Sequence, residues 1–207
     1  MDQFSTDKTD KQFRFDSGSG LWFTSDLHFS HANILRFCNR PFRDTDHMNA
    51  MLIKNWNERV APEDIIFILG DFAWGGSTVW TNILNQLNGH KYLIIGNHDE
   101  KNLRQNYSKY FDWIGYQMHL QIEGRSVYLN HYPFLCYGGS YRNPDNAVWQ
   151  LYGHVHSKEG QTGQDKERLK YLFPYQYDVG VDNNNYTPVS WDEIKTIINK
   201  QVENAQK

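Results

Sequence analysis

The chain has only two cysteines in 207 residues, Cys38 and Cys136, far apart and in no metal-binding spacing. That excludes a disulfide-stapled scaffold and a thiolate zinc site, and the pair reads as reduced thiols. Long apolar runs are missing as well: none approaches the ~20 residues that span a bilayer. The stretch from Met1 to Asp16 is polar apart from scattered Phe and lacks the apolar core of a signal peptide. These absences predict a cytoplasmic protein with no membrane partner. Positive charge is also in short supply. Twenty-one Lys and Arg against 24 Asp and Glu give a formal charge of −3, so no overall basic field draws in nucleic acid, although a local groove is compatible with that sum. No internal repeat or low-complexity stretch is present.

Aromatic residues are plentiful: 7 Trp, 13 Tyr and 12 Phe. They supply large buried areas, so the polar average composition does not signal disorder. The length suits one domain with a substantial core. Residues 1–17 are expected to form a polar, flexible tail ending at Ser17-Gly18-Ser19-Gly20, followed by a single domain over 18–207. Leu21-Trp22-Phe23, Ile65 to Leu69, Tyr92 to Ile95 and Val127-Tyr128-Leu129 read as strands, with further strands near Val148 to Tyr152 and Tyr177 to Gly180. Gln117 to Ile122 and Ser126 to Asn130 form a hairpin about Glu123-Gly124-Arg125.

Helices are predicted over 32–37, 45–60, 78–87 and 102–110. The second has Met48, Met51, Leu52 and Trp56 as its packing face and Pro62 as its stop. Ser190-Trp191-Asp192-Glu193 matches a capping box for a last helix striped by Ile194, Ile197, Ile198 and Val202. Gly160 to Glu167 is polar and reads as an exposed loop. The strand–helix alternation of the first half favours an α/β fold with a parallel or mixed sheet and helices outside.

Five short segments end on metal-ligand residue types: Asp26-Leu27-His28, Gly70-Asp71, Gly96-Asn97-His98-Asp99, Asn130-His131 and Gly153-His154-Val155-His156. Most follow an apolar run, so strands side by side would gather Asp26, His28, Asp71, Asn97, His131, His154 and His156 at their ends. Gly70, Gly96 and Gly153 let the backbone turn sharply just before the donor. Oxygen and imidazole donors without thiolate suit two divalent ions of Mn, Fe, Zn or Co. Set against Asp26, Asp71 and a bridging hydroxide, two such ions leave roughly one net positive charge, which attracts anions and supplies a nucleophile at neutral pH. A centre of that kind hydrolyses phosphate esters, so the residues point to a metal-dependent phosphoric ester hydrolase.

In this order, D-x-H, G-D, G-N-H-D, H and G-H-x-H resemble the calcineurin-like metallophosphoesterase superfamily, and within it the small, single-domain bacterial and phage phosphoesterases. The resemblance runs from about Leu21 to the last strand. It implies two packed mixed β-sheets flanked by helices, a four-layer αββα sandwich. It further implies one metal on Asp26, His28 and His156, a second on Asn97, His131 and His154, and Asp71 bridging both. His98 would face the substrate and stabilise phosphoryl charge or protonate the leaving group. Metal-bound hydroxide would attack phosphorus in line, with no covalent enzyme intermediate. Asp99 would assist catalysis by fixing the loop or orienting a neighbouring His. The protein Ser/Thr phosphatase branch carries G-D-x-x-D-R-G, whereas this chain reads Gly70-Asp71-Phe72-Ala73-Trp74-Gly75-Gly76. The second Asp and the Arg are absent, which argues against protein phosphatase activity and leaves His98 without that partner.

Two further residues have two readings each. His31, in Ser30-His31-Ala32-Asn33, either reaches substrate phosphate or merely begins the helix. Arg142, beside Tyr141 in the aromatic stretch from Phe134 to Asn146, either contacts phosphate from a substrate wall or is a solvated surface arginine. The expected substrate is a phosphodiester, or a phosphomonoester, of a small molecule or nucleotide; the diester is favoured because the resembled branch often prefers diesters and the phosphatase-specific Asp and Arg are missing. A nuclease acting on DNA or RNA ends would need a basic, aromatic-lined groove, and the Lys and Arg here are scattered. A non-catalytic scaffold of the same fold would be expected to lose ligands that this chain keeps.

Overall fold

The computed structural model describes residues 13–143, 145–157 and 166–206. In chain order the elements are β1 (Arg14–Phe15), β2 (Leu21–Thr24), α1 (Ala32–Phe37), α2 (Thr45–Asn57), β3 (Ile65–Ile68), α3 (Ser77–Leu84), β4 (His90–Ile94), β5 (Trp113–Gly115), β6 (Gln117–Ile122), β7 (Arg125–Asn130), β8 (Trp149–Tyr152), α4 (Lys166–Leu169), β9 (Gln176–Asp178), β10 (Val189–Ser190) and α5 (Trp191–Ala205). They build two five-stranded mixed sheets, β10-β2-β3-β4-β5 and β1-β6-β7-β8-β9, flanked by helices. In the first sheet β2 to β5 are mutually parallel and β10 is antiparallel. In the second, β7, β8 and β9 are parallel and the β6–β7 hairpin is antiparallel.

The period of two along each strand decides which core a side chain joins. In β3, Ile66 and Ile68 point to the helices and pack with Trp56, Trp80 and Leu93. Phe67 and Leu69 point the other way and meet Leu120, Leu129 and Leu151 between the sheets. β6 alternates cleanly, with Met118, Leu120 and Ile122 buried and Gln117, His119 and Gln121 exposed. Helix α2 starts where the Asp44 carboxylate accepts from the His47 amide and buries Met48, Leu52 and Trp56. It stops at Asn57, short of the expected Val60. The capping box of Ser190 and Glu193 opens α5, which buries Trp191, Ile194 and Ile198.

Three expectations are corrected. Part of the stretch read as tail is sheet: Arg14–Phe15 pairs with Gln121–Ile122, because Phe13 packs edge-on against Tyr92 and Trp113, and Phe15 against Phe67. Residues 1–12 lie outside the described residues. The helix expected over 102–110 is a series of turns followed by β5. An Asn side chain competes for the backbone there: Asn106 Oδ1 accepts from the Ser108 amide. Of the loop expected over 160–167, residues 160–165 lie outside the described residues, and 166–169 is the short helix α4.

The parallel strands place their C-terminal ends on one edge, the usual location of ligand sites in α/β sheets. There the sheets meet: Ser25, just past β2, bridges Gly180, just past β9, and the Val181 amide donates to the Ser25 carbonyl at 3.0 Å. No described helix is long and apolar enough to cross a membrane.

Candidate metal centre

Beyond their last ladder bonds β2 and β3 stay zipped together. The amides of Asp26, His28 and Phe29 donate to the carbonyls of Gly70, Asp71 and Phe72 at 2.9–3.0 Å, so Asp26, His28 and Asp71 lie side by side. Five of the seven expected donors sit in the left-handed region: Asp26 (φ 55°), His28 (49°), Asp71 (55°), His154 (72°) and His156 (45°). Each such residue costs on the order of 1–3 kcal/mol and persists only where its surroundings enforce it, as functional sites do.

The three glycines act mainly through space. A Cβ on Gly96 would lie 2.3 Å from Asp71 Oδ1, and one on Gly153 would lie 2.0 Å from Ser25 Oγ and 2.3 Å from Asp26 Oδ2. Only Gly70 also needs a positive φ, at 93°.

The donors converge in two groups, Asp26–His28–His156 and Asp71–His131–His154, each with ligand atoms within 4.8 Å of one another. His28 Nε2 lies 3.5 Å from Asp71 Oδ2, and His131 Nε2 lies 3.6 Å from the same oxygen. His156 Nε2 is 3.8 Å from Asp26 Oδ1. These gaps are too long for hydrogen bonds, but donors that share one ion at about 2.1 Å lie about 3–3.5 Å apart. Asp26 Oδ1 and His28 Nε2 are buried with no hydrogen-bond partner, a costly state that a cation would relieve.

His131 adds a second sign. Its Nδ1 lies 2.7 Å from the Leu69 carbonyl and therefore carries the proton, which leaves the Nε2 lone pair 3.0 Å from Asn97 Oδ1. Burial lowers the pKa of His28, aided by the positive neighbours His156 and Arg40, and also lowers that of His154. Both imidazoles are thereby kept neutral and able to ligate. Burial raises the Asp71 pKa, with His131 opposing it.

His28, Asp71, Asn97, His154 and His156 face a cavity of ≈720 Å³ that His31, Trp74 and His98 also line. The His98 amide donates to Asp71 Oδ1 at 3.0 Å, and its half-exposed ring receives no hydrogen bond among the described residues. His31 immediately precedes α1 and lines the cavity, its ring stacked on Trp74 at 4.5 Å with Nδ1 3.3 Å from His28 Nδ1. Asp99 takes the loop-fixing alternative. Its fully buried carboxylate accepts from the amides of Gly96, Asp71 and Phe72 at 2.8–2.9 Å. Burial pushes its pKa up to about 7 against those bonds. Arg142 is corrected: it is exposed and lines a separate depression with Glu123, Arg125 and Asp145, not the donor cavity.

Sequence reading missed Asp182 and Arg40. Asp182 Oδ2 lies 2.7 Å from His156 Nδ1, and both its oxygens bind the Arg40 guanidinium at 2.8 and 3.0 Å. Arg40 also donates to the carbonyls of Leu27 and Asp26, tying the D-x-H loop to the same clamp. Burial alone would lower His156, but the bond to Asp182, contact with Cys38 and the Asp26 charge outweigh it and raise the pKa to about 11. Asp182 moves the other way, below its usual range, because His156 and Arg40 overcome its burial. A carboxylate two residues past a predicted strand is the same signal that located the other donors, and it was available for Asp182. Arg40 carries no such signal.

A family model for the calcineurin-like phosphoesterases matches residues 20–182. An uncharacterized protein of Methanocaldococcus jannaschii is 33% identical over 190 residues, covering 87% of this chain and 92% of that protein. The gene 66 protein of Mycobacterium phage D29 is 29% identical, covering 87% and 96%. A crystal structure of a protein of unknown function from Aquifex aeolicus superposes with a TM-score of 0.63 at 26% identity, over 85% of this chain and 97% of that one. With the donor motifs on the strand ends where the sheets meet and the family match spanning them, this chain belongs to the calcineurin-like phosphoesterases.

Proposed function

We propose that the protein is a two-metal phosphodiesterase acting on a small molecule or nucleotide. The observation that carries this reading is the pair of donor groups, with Asp71 Oδ2 3.5 Å from His28 and 3.6 Å from His131. Asp26, His28 and His156 would hold one divalent ion, and Asn97, His131 and His154 the other, with Asp71 between them. Mn, Fe, Zn or Co suits these donors. Such ions supply Lewis acidity toward a phosphoryl oxygen and a water made acidic enough to attack at neutral pH.

The chain's own residues do the rest. His98, anchored through its amide to Asp71, presents its ring to the cavity to donate to a phosphoryl oxygen or to protonate the leaving oxygen. Asp99 holds the Asp71 and Gly96 turns in register. Asp182 and Arg40 orient His156 so that its Nε2 faces Asp26. The two cysteines, Cys38 buried and Cys136 exposed, are not joined in a disulfide, which suits a reducing compartment, in keeping with a cytoplasmic enzyme.

The test is metal-stripped protein reloaded with Mn. Calorimetry is expected to find two equivalents bound, and bis-p-nitrophenyl phosphate to be hydrolysed in preference to p-nitrophenyl phosphate. His98→Ala should lower kcat by about 10²–10⁴-fold while both equivalents still bind. Absence of turnover of any activated ester would sink the reading.

A further inference from the structure

Seven large apolar side chains stand exposed among the described residues, and they are not scattered evenly. Phe37 (65% exposed) and Trp74 (48%) line the donor cavity. Tyr132, Leu135 and Tyr171, at 44%, 63% and 75%, line a second cavity of ≈630 Å³. The two cavities share His154 and Val155, so the second adjoins the donor cavity there, and its lining includes neither Trp74 nor Phe37. Five exposed apolar groups thus line two adjoining cavities that share the donor His154. Exposed aromatics of this kind are costly to leave in water and are suited to stacking on flat partners. Neither cavity is lined by Lys or Arg among the described residues.

From this arrangement we propose that the substrate is a phosphodiester carrying a flat ring system on each side of the phosphate, of dinucleotide size. The proposal rests on the phosphodiesterase reading above and adds the identity of both arms. The phosphate lies at the donors; one arm runs over Trp74 and Phe37, and the other passes His154 and Val155 to Tyr132 and Tyr171. A monoester would leave one cavity empty. A long polyanion would require cationic contacts along its backbone, and among the described residues the linings themselves include no Lys or Arg, although the Arg36 guanidinium lies over the Phe37 ring at 5.4 Å. Stacking on aromatics is tolerant of the base, because every base offers a π-face, so the site selects ring-bearing arms and not a sequence.

The test uses the Mn-loaded full chain with thymidine 5′-p-nitrophenyl phosphate, which has a ring on both sides, and methyl p-nitrophenyl phosphate, which has one. The two-ring ester is expected to be preferred by about tenfold or more in kcat/KM, expressed in KM, the effect of one stacking contact. Phe37→Ala and Tyr171→Ala should each cut that preference severalfold. Tyr171→Phe should retain it, as should Tyr141→Ala, which removes an exposed ring lining neither cavity. Turnover of the methyl ester with no preference for the second ring overturns the two-arm proposal and leaves the phosphodiesterase reading standing; turnover of neither ester counts against that reading itself. Saturation-transfer NMR with a non-hydrolysable dinucleoside methylenephosphonate reads the arms without turnover. Saturation of both bases is expected, and saturation of one or none overturns the proposal. Tighter, steeply salt-dependent binding of a long single strand would overturn the dinucleotide size.

Discussion

Asp99 and Asp182 are both buried carboxylates that brace the donor cluster without being expected metal ligands, yet their chemistry is opposite. Asp99 supports the Asp71 side through three neutral backbone amides. Asp182 supports the His156 side through an imidazole and a guanidinium. Burial drives both pKa values upward. It wins for Asp99, which rises to about 7, and loses for Asp182, which falls below its usual range. Three amide bonds do not offset burial and the nearby Asp71 charge at Asp99, whereas the His156 bond and the Arg40 guanidinium offset burial at Asp182. One side of the site is therefore fixed by backbone geometry, and the other by a charge network.

The largest break in this comparison is Arg40→Ala, which leaves Asp182 buried beside His156 without its guanidinium. Losing one partner of a buried pair costs about 3–5 kcal/mol, and urea unfolding of the metal-stripped protein is expected to show it. Adding Asp182→Asn should recover part of the loss, because no buried charge is then left unpaired.

Next comes Asp182→Asn alone. Removing such an outer partner weakens metal binding by about 10–100-fold. Titration calorimetry should find one equivalent weakened, the one held with His156, and the other little changed. Equal weakening of both would mean that the clamp is not local.

The pH response sharpens the contrast further. A carboxylate with a raised pKa contributes stability that is full below the unfolded value and lost as pH rises through the folded one. For Asp99 that window runs from 3.8 to about 7. Asp182, with a depressed pKa, contributes above 3.8 and loses its contribution as pH falls below that value. In metal-stripped protein, Asp99→Asn should flatten the fall of Tm between pH 4 and 7, and Asp182→Asn should flatten the loss at the acid end.

The smallest effect is expected at Glu123, outside the site. Its carboxylate accepts from Lys195, Gly18 and Trp191 and is held down to about 2, chiefly by the Lys195 bond. Its contribution is present above 4.5 and lost as pH falls through about 2. Melting curves of Glu123→Gln should show a slightly shallower acid limb, small because the group is about a third exposed to screening solvent.

Much of this arrangement was legible in advance. Apolar runs located β2, β3 and β4, and two strand-like runs about a Gly turn located the β6–β7 hairpin, because a strand buried on both faces must be apolar throughout. The capping box located the start of α5, because two reciprocal bonds there need only four consecutive residues. Residues 102–110 were misread as a helix because a local side-chain bond, from the Ser108 amide to Asn106 Oδ1, competes there with the helical backbone. The strands β1 and β10 escaped because two-residue strands carry no period of their own, and β5 because it directly follows the stretch misread as a helix.

What the sequence by itself determined was the inventory of donors and their places at strand ends, since each motif is local and its turn is set by adjacent residues. Tertiary structure alone decided which donors share a group, that His31 enters the cavity while Arg142 does not, and that Arg40 clamps Asp182 across 142 residues of chain. Those choices depend on distances between atoms remote in sequence. Hydrogen bonds and charge pairing act over a few ångströms, and only the folded sheets bring such atoms that close.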